Sequence, residues 1–282
     1  MPRTDYVGAP SPMPDLPDEA SFAAEERQAL YRLVESAWQA FDKAADLPSR
    51  VTPAAPILFF GDLGAYRNSP LRVVTVGLNP SLKEFPADDS FQRFPLDGSD
   101  GDRKPGRYLD SMSAYFHTAP YRSWFATFEP LLNGAGASYY TDKAASTALH
   151  TDICSPIATD PTWTGLGQAD RAALEADGGP LWHNLLEALR PQVVFLSVAK
   201  RHLGRIGFAP ISDWKTIHIV ERTDSGVPRK HRYEVMARWY EIGGERSLCV
   251  FGQAAQRPFG SLSDTQKREA GAVAQEIYQD GR

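Results

Sequence analysis

Three polar, turn-forming segments follow short apolar runs, an arrangement in which a buried strand can hold out a reactive side chain. Arg72-Val-Val-Thr-Val76 leads into Gly77-Leu78-Asn79-Pro80-Ser81. Thr147 to Ile153 carries His150-Thr151-Asp152, and Leu248-Cys-Val-Phe251 leads into Gly252-Gln253. The Asn79 amide can hold a water molecule without ionising. Pro80 fixes the backbone beyond it and disfavours helix at Asn79, so the amide is expected to point outward. Asn-Pro is equally an ordinary turn starter, and that alternative stays open. An ionised Asp152 can only accept hydrogen bonds, either from a ligand or, as a cap, from the loop that follows it.

Composition removes several other chemistries. Two cysteines, Cys154 and Cys249, are too few for a four-thiolate zinc or iron–sulfur site, and two reduced thiols are expected. His117, His150, His183, His202, His218 and His231 show no metal-ligand spacing, so neither metal nor cofactor is expected. His202, beside Lys200, Arg201 and Arg205, reads as part of a basic face. No Gly-x-Ser-x-Gly elbow occurs, and Phe60-Gly-Asp-Leu63 lacks the nucleophile of a small serine esterase. Gly77 has no partner glycines for a dinucleotide-binding turn. No apolar run is long enough to cross a bilayer, and the Pro-rich, acidic start lacks the form of a secretory signal. A cytoplasmic monomer with no membrane partner is expected.

The chain has 282 residues and a net charge of −5. Leu196 to Arg268 nevertheless holds 13 Lys and Arg against 7 Asp and Glu, leaving the remainder strongly acidic. Solvated loops would give this pattern, and so would a localised phosphate-binding face.

The elements that must position these residues can be read from periodicity. Residues 1–50 are expected to form a proline-rich tail, to about Pro17, and a packing helix. Leu30, Leu33, Val34, Ala37, Trp38 and Phe41 mark the buried stripe of that helix. Residues 51–282 read as one α/β domain. Strands are expected at Arg72–Val76, Thr147–Ile153, Val193–Ser197 and Leu248–Phe251, and helices at Ser123–Leu132 and Leu181–Leu189. An antiparallel pair, Trp214–Val220 and Tyr233–Tyr240, flanks the turn at Asp224. Lys83 to Gly106 reads as a mobile surface loop. Ser263 with Gln266 signals the capping box of a last helix. Alternating strands and helices imply a parallel sheet covered on both faces, with the polar strand ends converging on one crevice.

This order of motifs resembles the uracil-DNA glycosylase superfamily, nearest its mismatch-specific and single-strand-selective branches. Gly77-Leu-Asn-Pro-Ser81 matches four of five positions of that family's Gly-x-Asn-Pro-Gly loop, and the resemblance covers about residues 70 to 280. It implies an α/β three-layer sandwich around a central parallel four-stranded sheet, and cleavage of the N-glycosidic bond of a modified, damaged or mispaired base in DNA. Asn79 would orient the attacking water, while Gly77, Leu78, Pro80 and Ser81 line the base pocket. Asp152 stands where the family has an Asn that reads the base edge. Gln253 stands in a loop that usually carries His or Asn before Pro-Ser, and would donate to the departing base.

Phe91, Phe94 or Tyr108 would stack on the base, Phe91 being the residue assigned. Arg257 or Phe259 would fill the gap left by the extruded nucleotide. Lys200, Arg201, Arg205, Arg229, Lys230 and Arg257 would contact phosphates. No Tyr walls off the 5-position, and an Asp152 carboxylate suits the cytosine amino group better than uracil's O4. A 5-modified cytosine is therefore the sharpest candidate, in DNA repair or defence against phage. The altered third loop leaves a rival expectation, a weak or inactive glycosylase-fold protein that binds unusual DNA.

Overall fold

Val73-Val74-Thr75-Val76 is β-branched throughout, favouring extended backbone, and its strand is buried on both faces. In the computed structural model, residues 19–253 and 257–281 are described. The proline-rich tail lies outside them. In chain order the elements are α1 (Glu19–Lys43), α2 (Leu63–Arg67), β1 (Val73–Gly77), α3 (Pro105–Ser113), α4 (Arg122–Phe125), α5 (Glu129–Gly134), β2 (Ala137–Ser138), β3 (Ser146–Thr147), β4 (Leu149–Asp152), α6 (Gln168–Leu189), β5 (Val193–Leu196), β6 (Ala209–Pro210), β7 (Lys215–Arg222), β8 (Pro228–Ile242), β9 (Glu245–Gly252) and α7 (Asp264–Asp280).

The predicted four-stranded parallel sheet needs correction, because the main sheet has seven strands and is mixed. Its neighbours β4, β1, β5 and β9 do run parallel. The expected antiparallel pair, β7 and β8, is joined to them because β8 also pairs antiparallel with β9 and β6. Residues 214–240 therefore extend the sheet.

Register decides which side chains share a face. Thr75 lies beside His150 and Gly77 beside Asp152, and strand alternation puts all four on one side. The aromatic rings of Phe60, Phe125 and Phe128 pack against His150 there. Thr151 points to the opposite side, where Trp182 of α6 donates to its hydroxyl at 3.1 Å. Helix α1 packs on α6 through the stripe read from the sequence, with Leu30, Val34 and Ala37 at 0–1% exposure. Helix α7 packs on α5 and begins at the expected Ser263–Gln266 capping box.

Two helices depart from their expected bounds. Helix α6 starts at Gln168 and runs through Pro180, which sequence alone reads as a boundary. Gly178, two residues before it, marks a close approach. A side chain there would meet the backbone of Cys154 and Ser155, so glycine lets the helix seat against the end of β4. Ser123–Leu132 divides into α4 and α5, with Pro130 in the first turn of α5. Among the described residues no helix is long and apolar enough to cross a membrane.

Candidate functional site

The end of β1 is tied to the segment after β4 by backbone bonds. Ile153 N–H donates to Gly77 O at 3.1 Å, Cys154 N–H to Leu78 O at 2.9 Å, and Thr159 N–H to Pro80 O at 3.2 Å. This second segment surrounds the Asn79 amide with acceptors. Asn79 Nδ2 donates to Pro80 O at 2.9 Å, Ile157 O at 3.2 Å and Thr159 Oγ1 at 2.8 Å. The Thr159 hydroxyl in turn donates to Pro161 O at 2.8 Å. Two of the three groups are carbonyls, which cannot donate, so the NH2 end must face them. Asn79 Oδ1 therefore points away, and no described side chain or N–H donates to it. A fixed, half-buried acceptor of this kind can hold a water molecule.

Asp152 lies at the end of β4 opposite Gly77, two residues before Asn79. Its residue is 8% exposed, and its Oδ1 lies 3.7 Å from His150 Nε2. The alternative of a loop cap is not what forms, since no described backbone N–H donates to this carboxylate. His150 Nδ1 is 2.8 Å from Thr75 Oγ1, which is 2.5 Å from Tyr139 Oη. This buried chain holds the imidazole, and the imidazole backs the carboxylate. Gly77 leaves the space that Asp152 occupies, because a methyl group there would sit 2.5 Å from Asp152 Oδ1 and 3.1 Å from His150 Nε2. Gly77→Ala is expected to lose about 1–3 kcal/mol by overpacking, read as a lower urea midpoint. An unchanged midpoint would show that the carboxylate moves aside freely.

A second carboxyl group, not singled out in the sequence, sits in the same region. Glu84 is 4% exposed and accepts a 2.6 Å hydrogen bond from the Tyr115 hydroxyl. Burial pushes it up to about 7; the Tyr115 bond and the Arg93 charge oppose the rise, and the negative charge of Asp152 adds to it. Ser81-Leu-Lys-Glu84 has capping-box spacing, and Ser81 does cap a short helical turn there. That signal would have removed Glu84 from the supposed surface loop.

Other expected site residues lie elsewhere. Phe91 packs edge-on against Phe85 and lines a cavity of about 170 Å³ with Trp38, Asp102 and Arg103. Phe94 is core, and the Tyr108 hydroxyl bridges Leu58 N–H and Pro56 O. The aromatic residues packed against His150 are instead Phe60, Phe125 and Phe128. Their sequence separations hide this. Gln253 is exposed at the rim, where its carbonyl accepts from the Tyr233 hydroxyl at 2.8 Å. Phe259 is fully buried under Gly252, with its N–H on Ser197 Oγ at 2.9 Å, so it anchors its loop and cannot act as a wedge.

The basic set divides in the same way. Lys200, Arg201, Lys230 and Arg257 are exposed. Arg205 is engaged with Glu175 at 2.7 Å. Arg229 is also engaged, donating to Ser261 O at 2.7 Å and Gln266 Oε1 at 2.8 Å. His202 leaves the basic face altogether. It is 3% exposed, both its ring nitrogens lack partners, and burial with the charges of Arg205 and Arg201 lowers it to about 4. Among the described residues no group of three His, Cys, Asp or Glu is arranged around a possible metal ion. Both cysteines are buried free thiols, and burial pushes Cys154 up to about 12.

Comparison with known proteins returns no matching family model and no matching curated protein.

Proposed function

We propose that this chain is a DNA glycosylase that hydrolyses the N-glycosidic bond of a modified or mispaired base, on a fold like that of the uracil-DNA glycosylases. The observation that carries the reading is the Asn79 amide, whose NH2 end is held by Pro80 O, Ile157 O and Thr159 Oγ1 so that Oδ1 is presented as an acceptor. Departure of a base leaves an oxocarbenium-like sugar, which a positioned water attacks without needing a strong base. An amide acceptor is sufficient for that step. The parallel block β4-β1-β5-β9 supports the fold reading, because it brings the polar ends of β1 and β4 together at its carboxyl edge. Exposed Lys200 and Arg201 follow β5 and Arg257 follows β9, at the same edge, which supports a polyanionic substrate despite the net charge of −5.

Asp152 supports a base with an exocyclic amino group, since its carboxylate can accept from cytosine N4 and repels a carbonyl oxygen. Asp152→Asn is expected to shift release from cytosine-type bases toward uracil, by roughly tenfold or more for one exchanged hydrogen-bonding pair. Mass spectrometry of bases released from DNAs carrying uracil, thymine mismatches and 5-modified cytosines tests both statements. Release of a base from at least one such DNA is the expected result, and no release from any of them rejects the enzyme. Efficient uracil excision by the unaltered protein would reject the carboxylate argument alone.

The second reading, a protein that binds unusual DNA without cutting it, is favoured by one observation. Asp152 is only 8% exposed, and the three cavities described lie elsewhere, the largest being about 610 Å³ between α1 and α6. DNA binding without base release would select it.

A further inference from the structure

The β7–β8 hairpin does more than widen the sheet. Strand β9 stops at Gly252, opposite Val235, so the Pro228–Glu234 part of β8 has only β7 beside it. Between Val220↔Tyr233 and Arg222↔Pro228 the register shifts and β8 bulges, so β7 sets the length: its residues 219–222, at about 3.4 Å each, carry the ribbon roughly 14 Å past the sheet. Strand β9 is parallel to β5, and β5 to β1, so the ribbon leaves the sheet on the edge that carries Asn79 and Asp152.

The ribbon has two different faces, one bonded to the rest of the molecule and one exposed. On the inner face, Arg229 holds Ser261 O and Gln266 Oε1, and the Tyr233 hydroxyl holds Gln253 O. At its tip Asp224 accepts from the Ser263 hydroxyl at 2.6 Å. These bonds fasten the arm to the start of α7 and the loop before it. The outer face has no such partner. Lys230 and Arg232 are exposed there, and Glu234 is held by Arg232 at 2.6 Å. Arg222 adds to the positive charge of the ribbon, and Glu221 opposes it. Ile219 is 43% and Val227 57% exposed.

We propose that this ribbon is an arm for duplex DNA, with Lys230 and Arg232 on phosphates and the apolar tip in a groove. The proposal rests on the DNA reading above and adds strandedness to it. A two-stranded ribbon fits the major groove, about 12 Å wide. Single-strand binders instead need exposed rings on which bases stack. The ribbon's ring, Tyr233, is half-buried and faces inward.

Fluorescence anisotropy on the full chain tests the arm, with a labelled duplex and either of its strands alone. The unaltered protein is expected to prefer the duplex. The double variant Lys230→Gln/Arg232→Gln, at exposed positions, is expected to weaken duplex binding roughly tenfold and to lower the salt slope by about 2, near 0.9 for each phosphate no longer neutralised. Single-strand binding should change less than about threefold. Thermal melting checks that the variant folds, and Val227→Asp at the exposed tip gives a second variant with the same expected loss. Duplex binding unchanged in both variants, or equal loss on single strands, overturns the arm while the glycosylase reading stands. No DNA binding by the unaltered protein overturns both.

Discussion

Asn79→Ala is expected to reduce base release by about 10²-fold or more, the cost of losing the geometry of a positioned reactant, while DNA binding persists. The alternative, that Asn79 only starts a turn, predicts loss of stability without a specific loss of turnover. The variant will also be less stable, because Ile157 O and Pro80 O lose a donor in a half-buried setting, a cost of about 1–3 kcal/mol. Activity must therefore be compared below the melting temperature of both proteins. Asn79→Asp separates the two roles further. A carboxylate would face two carbonyl oxygens with no proton to give, so this variant is expected to be less stable at neutral pH than the alanine variant. Rapid-quench assays on a DNA shown to be a substrate give the rate, and urea unfolding gives the stability. Normal single-turnover release by a folded Asn79→Ala protein would remove Asn79 from the mechanism.

The second large effect concerns Glu84 and pH. Its carboxyl rises from 4.5 to about 7 on folding, chiefly because burial disfavours the charge. Between those values the unfolded chain has released the proton while the folded chain still holds it. Folding stability conferred by this group is thus fully present below about 4.5 and is lost as pH rises through about 7. Over that span, at about 1.4 kcal/mol per pH unit, the loss comes to about 3–4 kcal/mol. Glutamine keeps the shape, can still accept from the Tyr115 hydroxyl, and does not titrate. The stability of Glu84→Gln relative to the unaltered protein is therefore expected to grow from pH 4.5 to 7.5 and then level off. Contributions from other carboxylates cancel in that difference. Urea unfolding at several pH values measures it, and a flat difference would mean that Glu84 ionises in the folded protein as it does in the unfolded chain.

The buried framework was legible because regular elements record burial in their spacing. The stripe from Leu30 to Phe41 predicts α1, and the runs at Val73, Val193 and Leu248 predict β1, β5 and β9. Ser263 and Gln266 mark the start of α7 because both capping bonds are local. Pro180, a helix breaker in isolation, lies within α6, and the close approach of Gly178 to Cys154 and Ser155 is a tertiary contact that no local spacing records. The packing of Phe91 is not legible because residues 83–106 have no period from which a direction can be read. Glu84, in the same stretch, carries no spacing signal of burial, although the fold leaves it 4% exposed.

The sequence by itself determined the types of residue at the strand ends, the alternation of strand and helix, and the surplus of positive charge between Leu196 and Arg268. These are local or additive properties, carried by neighbouring residues or by composition. Only the tertiary structure decided how they act together. Asn79 is oriented by residues 78 and 80 positions away, Arg229 by Gln266 at a separation of 37, and Glu84 by Tyr115 at 31. A polar side chain outside a regular element is directed by whichever donors and acceptors packing brings to it. Those partners follow from the register of β1 with β4 and of β8 with β9, which no local pattern of spacing encodes.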